Sequence, residues 1–247
     1  MDIQNQIEYY NAEWGIVDRI YANALQLSRT IEILRELLQT GAVQTGAIPP
    51  KICDLGSGTG WLTAILGCVG EATGVELSNV AVENARKRFS HAKFECADVI
   101  EWEYPREVFD VVVSHEVIEH IEDQQRYVDI ANGLLKPGGW LILTTPNAPT
   151  VHATPGELHS KQPIENVLDA NQLRRLLETR FENVRIRSII LGGGTRGVYR
   201  IVNSRKAHNL LARVGLDALF TGLALRAGLG LHLIARAQKP NEAARTG

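Results

Sequence analysis

Lys51-Ile52-Cys53-Asp54-Leu55-Gly56-Ser57-Gly58-Thr59-Gly60 is an apolar run that passes straight into a glycine-rich turn, with a helix expected from near Trp61. Glycines at alternate positions let the backbone take φ > 0 and come close to a ligand, while Asp54 sets one carboxylate at the strand's end. That acid argues against phosphate as the main guest. A dinucleotide fingerprint reads G-x-G-x-x-G and receives pyrophosphate on the helix N-terminus. This turn reads G-x-G-x-G behind an acid, which suits an amino group better.

Further along, Thr73-Gly74-Val75-Glu76-Leu77 reads as a second buried strand ending in an acid, at the spacing that sets a carboxylate on ribose hydroxyls. Glu95-Cys96-Ala97-Asp98-Val99, Phe109-Asp110-Val111-Val112-Val113-Ser114-His115-Glu116 and Leu134-Leu135-Lys136-Pro137-Gly138-Gly139-Trp140-Leu141-Ile142-Leu143 follow in order. From about residue 50 to about residue 150 this series resembles the motifs of the class I S-adenosylmethionine (SAM) methyltransferases. The resemblance implies an α/β, Rossmann-like fold: seven strands, mostly parallel with an antiparallel last strand, and helices on both faces. It implies SAM as cofactor, held by Asp54, Gly56, Ser57, Gly58, Gly60, Glu76, Leu77, Asp98, Val99 and Ser114. Asp98 would meet the adenine amino group, and the motif at Ser114 would lie beside the methyl group. The acceptor is not implied.

A chain of 247 residues suits one substantial α/β domain. The formal charge of −2 steers nothing toward nucleic acid. Cys53, Cys68 and Cys96 have no C-x-x-C spacing and read as small core hydrophobes in a reducing compartment. Asp2, Glu8, Glu13 and Asp18, with no basic start and no apolar core, do not make a signal peptide. A cytoplasmic location is the expectation.

Ile20, Ala24, Leu27, Ile31, Leu34 and Leu38 recur at a helical period that ends at Gly41, predicting a helix from residue 17 to about 40 over the cofactor cleft. Ahead of it, the aromatic run Tyr9-Tyr10-Asn11-Ala12-Glu13-Trp14 either covers the cofactor, as the resemblance implies, or anchors a terminal segment. Beyond Gly60, helices near 61–68, 79–89 and 124–135 alternate with strands at 72–76, 93–95, 109–114 and 140–145, the pattern of a parallel sheet. A loop with Pro149, Pro155, Gly156 and Pro163 precedes a helix capped by Asp169, then strands at 184–191 and 231–237. One domain results: an N-terminal helical cover (1–45), a cofactor core (46–150) and an acceptor side (151–247).

The acceptor side carries an insertion, 192–230, before the last strand, glycine-rich at first and helical from Ser204 to Gly228. Arg213, Asp217 and Arg226 interrupt it before the ~20 apolar residues needed to span a bilayer. Its first expected use is an amphipathic helix pair closing the acceptor pocket or forming a homo-oligomer face. Peripheral attachment to a membrane surface comes second, and a satellite core is the plain alternative.

Glu116, Glu119 and His120 follow an E-x-x-E-H spacing that one helical turn would bring to one side. It resembles the spacing in the ubiquinone-pathway catechol O-methyltransferases and the small-RNA 2′-O-methyltransferases. There it implies a divalent metal, Mg²⁺, Mn²⁺ or Zn²⁺, on the acceptor hydroxyls, with His159 or His152 as a further ligand. The competing catalytic reading makes His115, His120 or His159 a general base. A purely structural use, with Glu119 as a cap and His120 bonded to backbone, explains the same residues. His91, His208 and His232 read as solvated.

These features point to methyl transfer onto a small biosynthetic molecule, most simply at a hydroxyl. Thr145-Pro146-Asn147-Ala148 stands where amide-directed N-methyltransferases carry N/D-P-P-Y. An RNA 2′-O-methyltransferase would need a basic groove, for which Arg174, Arg175, Arg180, Arg185, Arg187, Arg196, Arg200, Arg205 and Lys206 are the only enrichment. A non-catalytic SAM-binding protein is the third reading.

Overall fold

Strand β1 (Lys51–Leu55), the run that opens the glycine turn, lies third in a seven-stranded sheet. The computed structural model describes residues 3–14, 24–44, 48–154 and 164–241. The other strands are β2 (Glu71–Glu76), β3 (Lys93–Cys96), β4 (Phe109–His115), β5 (Leu135–Pro146), β6 (Glu182–Ile189) and β7 (His232–Gln238). Their order is β3-β2-β1-β4-β5-β7-β6. The first five pair in parallel, and β7 runs antiparallel between β5 and β6. Strands buried on both faces read as continuous apolar runs, which is how Val111-Val112-Val113 specifies a central strand.

The strand period divides those valines between two cores. Val112, with Leu55 and Leu143, packs under α5 (Gln124–Leu134) through Tyr127, Val128 and Leu134, and under α7 (Ala170–Leu177) through Leu173 and Leu177. Val111 and Val113 face the opposite way, against Ile33 and Leu37 of α2 (Ala24–Gln39) and Leu62 and Leu66 of α3 (Trp61–Leu66). Each fully buried aliphatic side chain contributes about 1.5–3 kcal/mol, so the two layers fix the helix positions. Helix α4 (Asn79–Arg88) starts at Ser78, whose hydroxyl accepts from the Ala81 N–H, and α7 starts at Asp169 in a full capping box with Gln172. The short α6 (Ala148–His152) follows β5.

Several expectations are corrected. Helix α2 buries Thr30, Ile33, Glu36 and Leu37, leaving Leu27, Ile31 and Leu38 at least half exposed. The helix forms as the period predicts, with Leu34 packed on the core, but its buried face also carries charge: the Glu36 carboxylate binds Arg187 at 2.9 Å and Arg236 at 3.2 Å, a pairing invisible in local sequence. Ile20 lies outside the described residues. The Lys136–Gly139 turn belongs to β5 as a bulge, with Leu135 opposite Phe109 and Trp140 opposite Val111. Of the cysteines only Cys53 is buried; Cys68 and Cys96 are exposed.

In the insertion, α8 (Val198–Val202), α9 (Arg205–Arg213) and α10 (Asp217–Arg226) stand between β6 and β7. Asn147 and Thr150 hold its end by donating to the Gly230 carbonyl, each at 2.8 Å. Among the described residues no helix is long and apolar enough to cross a membrane. The expected basic enrichment is partly neutralised, since Arg180 pairs with Asp129 and Arg187 with Glu32 and Glu36.

Candidate functional site

The carboxyl ends of β1, β2 and β4 open into a cavity of about 370 Å³, where open α/β sheets receive ligands. Helix α1 (Ile3–Trp14) covers it with Gln6, Tyr10 and Trp14, and α2 adds Gln26 and Arg29. Asp54, Gly56, Ser57, Gly58, Glu76, Leu77, Asp98 and Val99 all line it. Gly60 and Ser114 do not. Gly60 is a packing residue at φ +79°, where an added Cβ would come within 2.7 Å of both Ala85 and Phe94. Ser114 is buried, and its hydroxyl accepts from the Tyr127 hydroxyl at 2.8 Å.

The glycine turn is held from both sides. The Val75 carbonyl accepts from the Gly56 and Ser57 N–H groups at 2.8 and 3.0 Å, and the Glu76 carboxylate accepts from Gly58 N–H at 2.9 Å and Ser78 N–H at 3.0 Å. Burial pushes the Glu76 carboxyl above its ordinary value, and those backbone donors oppose the shift. Asp54 is more exposed to this tension. Burial pushes its carboxyl up to about 7, although Thr63 donates to Oδ2 at 2.6 Å, and Oδ1 has no partner. Ser57 Oγ and Trp14 Nε1 are also buried without partners. Buried polar atoms in native structures are almost always satisfied. A guest with a cationic donor for Asp54 and polar groups for Ser57 and Trp14 would satisfy this set, and SAM fits that description.

At the other end, His115, Glu116, Glu119 and His120 line the same cavity. His115 Nε2 accepts from Arg29 Nε at 2.9 Å, so the ring is neutral, and burial pushes it down to about 4. Its acceptor nitrogen is taken, which leaves no lone pair for a base. Glu116 takes a left-handed φ of +58°, turning its carboxylate to His232 Nε2 at 3.1 Å and Arg29 at 3.8 Å. Burial opposes its charge, yet His232, Arg29 and His115 hold it down to about 2, and its Oε1 has no partner. Glu119, in the 3₁₀ turn Ile118–His120, is buried, accepts from Thr145 Oγ1 at 3.0 Å and is pushed well up by burial and by the Glu116 charge. Glu116 is therefore the carboxylate of the pair and Glu119 the neutral acid.

His120 differs from both. Its Nδ1–H donates to the Ile164 carbonyl at 2.9 Å, fixing the tautomer that leaves Nε2 unprotonated, 3.7 Å from Glu119 Oε1. Burial pushes its pKa below the ordinary histidine value. The expected metal grip does not assemble: among the described residues no three His, Cys, Asp or Glu side chains converge to hold an ion. Glu116 is drawn to Arg29 and His232 while Glu119 turns to Thr145. His159 lies outside the described residues, and His152 is exposed. Of the three histidines read as solvated, only His232 is corrected, since His91 is exposed and His208 partly so. His232 is buried beside Glu116, His91 binds the Ala64 carbonyl and His208 binds Asp217. Arg29, which lines the cavity, and His232, which contacts Glu116 from behind it, are two residues the sequence did not single out, and a histidine opening an almost wholly buried strand was the available signal.

The strand order, the antiparallel β7 and the glycine-turn cavity define the fold of the class I SAM-dependent methyltransferases. Residues 24–218 match the methyltransferase domain family, and the chain belongs to it. A probable SAM-dependent methyltransferase of Mycobacterium tuberculosis is 31% identical over 128 residues, 51% of this chain and 46% of that protein. A ubiquinone biosynthesis O-methyltransferase of Coxiella burnetii is 32% identical over 101 residues, 39% of this chain and 43% of its own. The chain thus spans about half the length of these relatives. The N-methyltransferase NodS of Bradyrhizobium japonicum, solved with S-adenosyl-L-homocysteine, superposes with a TM-score of 0.65 over 96% of this chain and 100% of NodS. At 17% identity that likeness speaks for the fold.

Proposed function

We propose that this protein transfers a methyl group from SAM to a hydroxyl of a small molecule, with His120 Nε2 accepting the proton. The observation that carries this reading is the His120 tautomer, locked by the Ile164 carbonyl, on a ring that lines the same cavity as Asp54 and the glycine turn. SAM supplies an activated methyl and its own leaving group, so the protein's tasks are binding, aiming and removing one proton. Asp54 would take the amino group, Glu76 the ribose hydroxyls and Asp98 the adenine edge beside Leu77 and Val99. Residues 1–45 act as cover, 46–150 as the cofactor core and 151–247 as the acceptor side. Neutral Glu119 beside His120 keeps a second negative charge away from Glu116 and can donate to an acceptor oxygen.

The unpartnered Oε1 of ionised Glu116 supports a second reading, an amine acceptor held as a cation before it loses its proton. An RNA acceptor has less support, since Arg180 and Arg187 are already ion-paired. A methyl-transfer screen with phenols, sugar hydroxyls, small amines and short RNA, run with and without chelator, separates these readings. Hydroxyl methylation that survives the chelator and is lost in His120→Ala at unchanged SAM affinity supports the first. Turnover confined to amines supports the second, chelator-sensitive turnover restores a metal, and SAM binding without any acceptor leaves a binding protein.

A further inference from the structure

The insertion ends in an apolar surface that no described residue covers. Ile201, Leu210, Val214, Leu219 and Leu223 are each more than half exposed, and Leu216 is nearly so. Leu216, Leu219, Leu223 and Arg226 follow one another at three- and four-residue steps, placing them along one side of α10, while Leu210 and Val214 close the neighbouring end of α9. No insertion residue lines the cavity, so this surface does not close the acceptor pocket.

Charge narrows the choice of occupant. Arg200, Arg205, Lys206, Arg213 and Arg226 are all exposed, and none is ion-paired with a described residue. Asp217 is the sole acid from Gly192 to Gly230, and it is already bound to His208 Nδ1 at 2.5 Å. A second copy of the chain is disfavoured, because a two-fold interface would press the same cations against each other. Single-stranded nucleic acid needs exposed rings for stacking, whereas Phe220 packs edge-on against His208 and Tyr199 is buried. Exposed leucines framed by unpaired arginine and lysine are what an anionic bilayer surface takes.

We propose that the α9–α10 hairpin docks the protein on membranes containing anionic lipid, with its leucines in the acyl boundary and its basic side chains among the headgroups. The test is co-sedimentation with phosphatidylcholine vesicles, with and without phosphatidylglycerol. The native protein should pellet with phosphatidylglycerol vesicles, stay in solution with phosphatidylcholine alone and be released by salt. Combined Lys206→Gln, Arg213→Gln and Arg226→Gln should weaken binding about a hundredfold, taking each surface cation at its usual worth. Leu219→Ser with Leu223→Ser should abolish binding by a different route. Both variants change exposed side chains, and an unaltered melting curve and SAM affinity would confirm their folding. The proposal is overturned if the native protein ignores phosphatidylglycerol vesicles, if the charge variant binds like the native protein, or if the protein captures short RNA in preference to vesicles. A native dimer that the leucine variant converts to monomer would overturn it as well.

Discussion

Asp54 should make SAM binding tighten about tenfold between pH 6 and pH 8. With its carboxyl at about 7, roughly one tenth is ionised at the lower pH and roughly nine tenths at the higher. An ammonium set against Oδ1 selects the ionised form, so the apparent affinity follows that fraction, a change of about 1.4 kcal/mol. The linkage also acts on the empty protein. Its folded value is raised from 3.8, so between there and about 7 the unfolded chain gives up its proton first. Stability therefore falls as pH rises through that window, by on the order of 4 kcal/mol. Calorimetric titration in two buffers of different ionisation heat would register proton release on binding near pH 7. Asp54→Asn should remove the release, flatten the profile at the weak end and raise the melting temperature of the empty protein above pH 7. Comparing the two profiles cancels any titration of the ligand itself. A native protein whose affinity is flat from pH 6 to pH 8, or an Asp54→Asn variant with the same profile, would refute the argument.

Glu76→Ala should weaken SAM binding by roughly 1–3 kcal/mol in isothermal titration, since its carboxylate holds the Gly58 and Ser78 N–H groups as well as facing the cavity. Gly60→Ala should cost about 1–3 kcal/mol of stability in urea unfolding, from a contact at 2.7 Å and a left-handed φ. His120→Ala should lower kcat by roughly 10²–10⁴ without changing SAM affinity. In the native enzyme the rate should fall only as pH drops below the ordinary histidine range, because the folded value is lowered. His115, lowered from 6.5 to about 4, should contribute stability that is complete above 6.5 and lost as pH falls toward 4, on the order of 3 kcal/mol. Chemical denaturation of Asp54→Asn across that range would expose it, since Asp54 no longer slopes the other way.

The features legible in the sequence are those that a few adjacent residues decide. Lys51 to Gly60 names its strand and turn because the apolar run and the positive-φ glycines are local, and Asp169 names its helix start through a three-residue capping box. The acid of each strand end could be read with its strand, which is why Asp54, Glu76 and Asp98 reach one cavity. The chemistry at the other end depends on distances the sequence does not contain. Arg29, His115, Glu116 and His232 come from a helix, the end of one strand and the start of another. The E-x-x-E-H spacing presumed one regular turn, whereas the left-handed Glu116 sends its side chain a different way from Glu119. Burial then makes one of the two acids ionic and the other neutral, an outcome that composition and spacing do not determine.

Helix α1 roofs the cavity with Tyr10 and Trp14, yet it buries no residue of its own and is tied to the body by contacts such as Asn11 with the Ser78 hydroxyl. Regions with few buried contacts open at far lower free energy than the core. If the cavity takes SAM as proposed, this roof would also be an element cheap to lift, and spent cofactor would leave beneath it. Turnover would then be paced by the lifetime of contacts such as Asn11 with Ser78 rather than by the transfer itself, so tightening the roof would lengthen product residence and slow the enzyme. On that reading a better-packed first helix would slow release rather than speed the reaction.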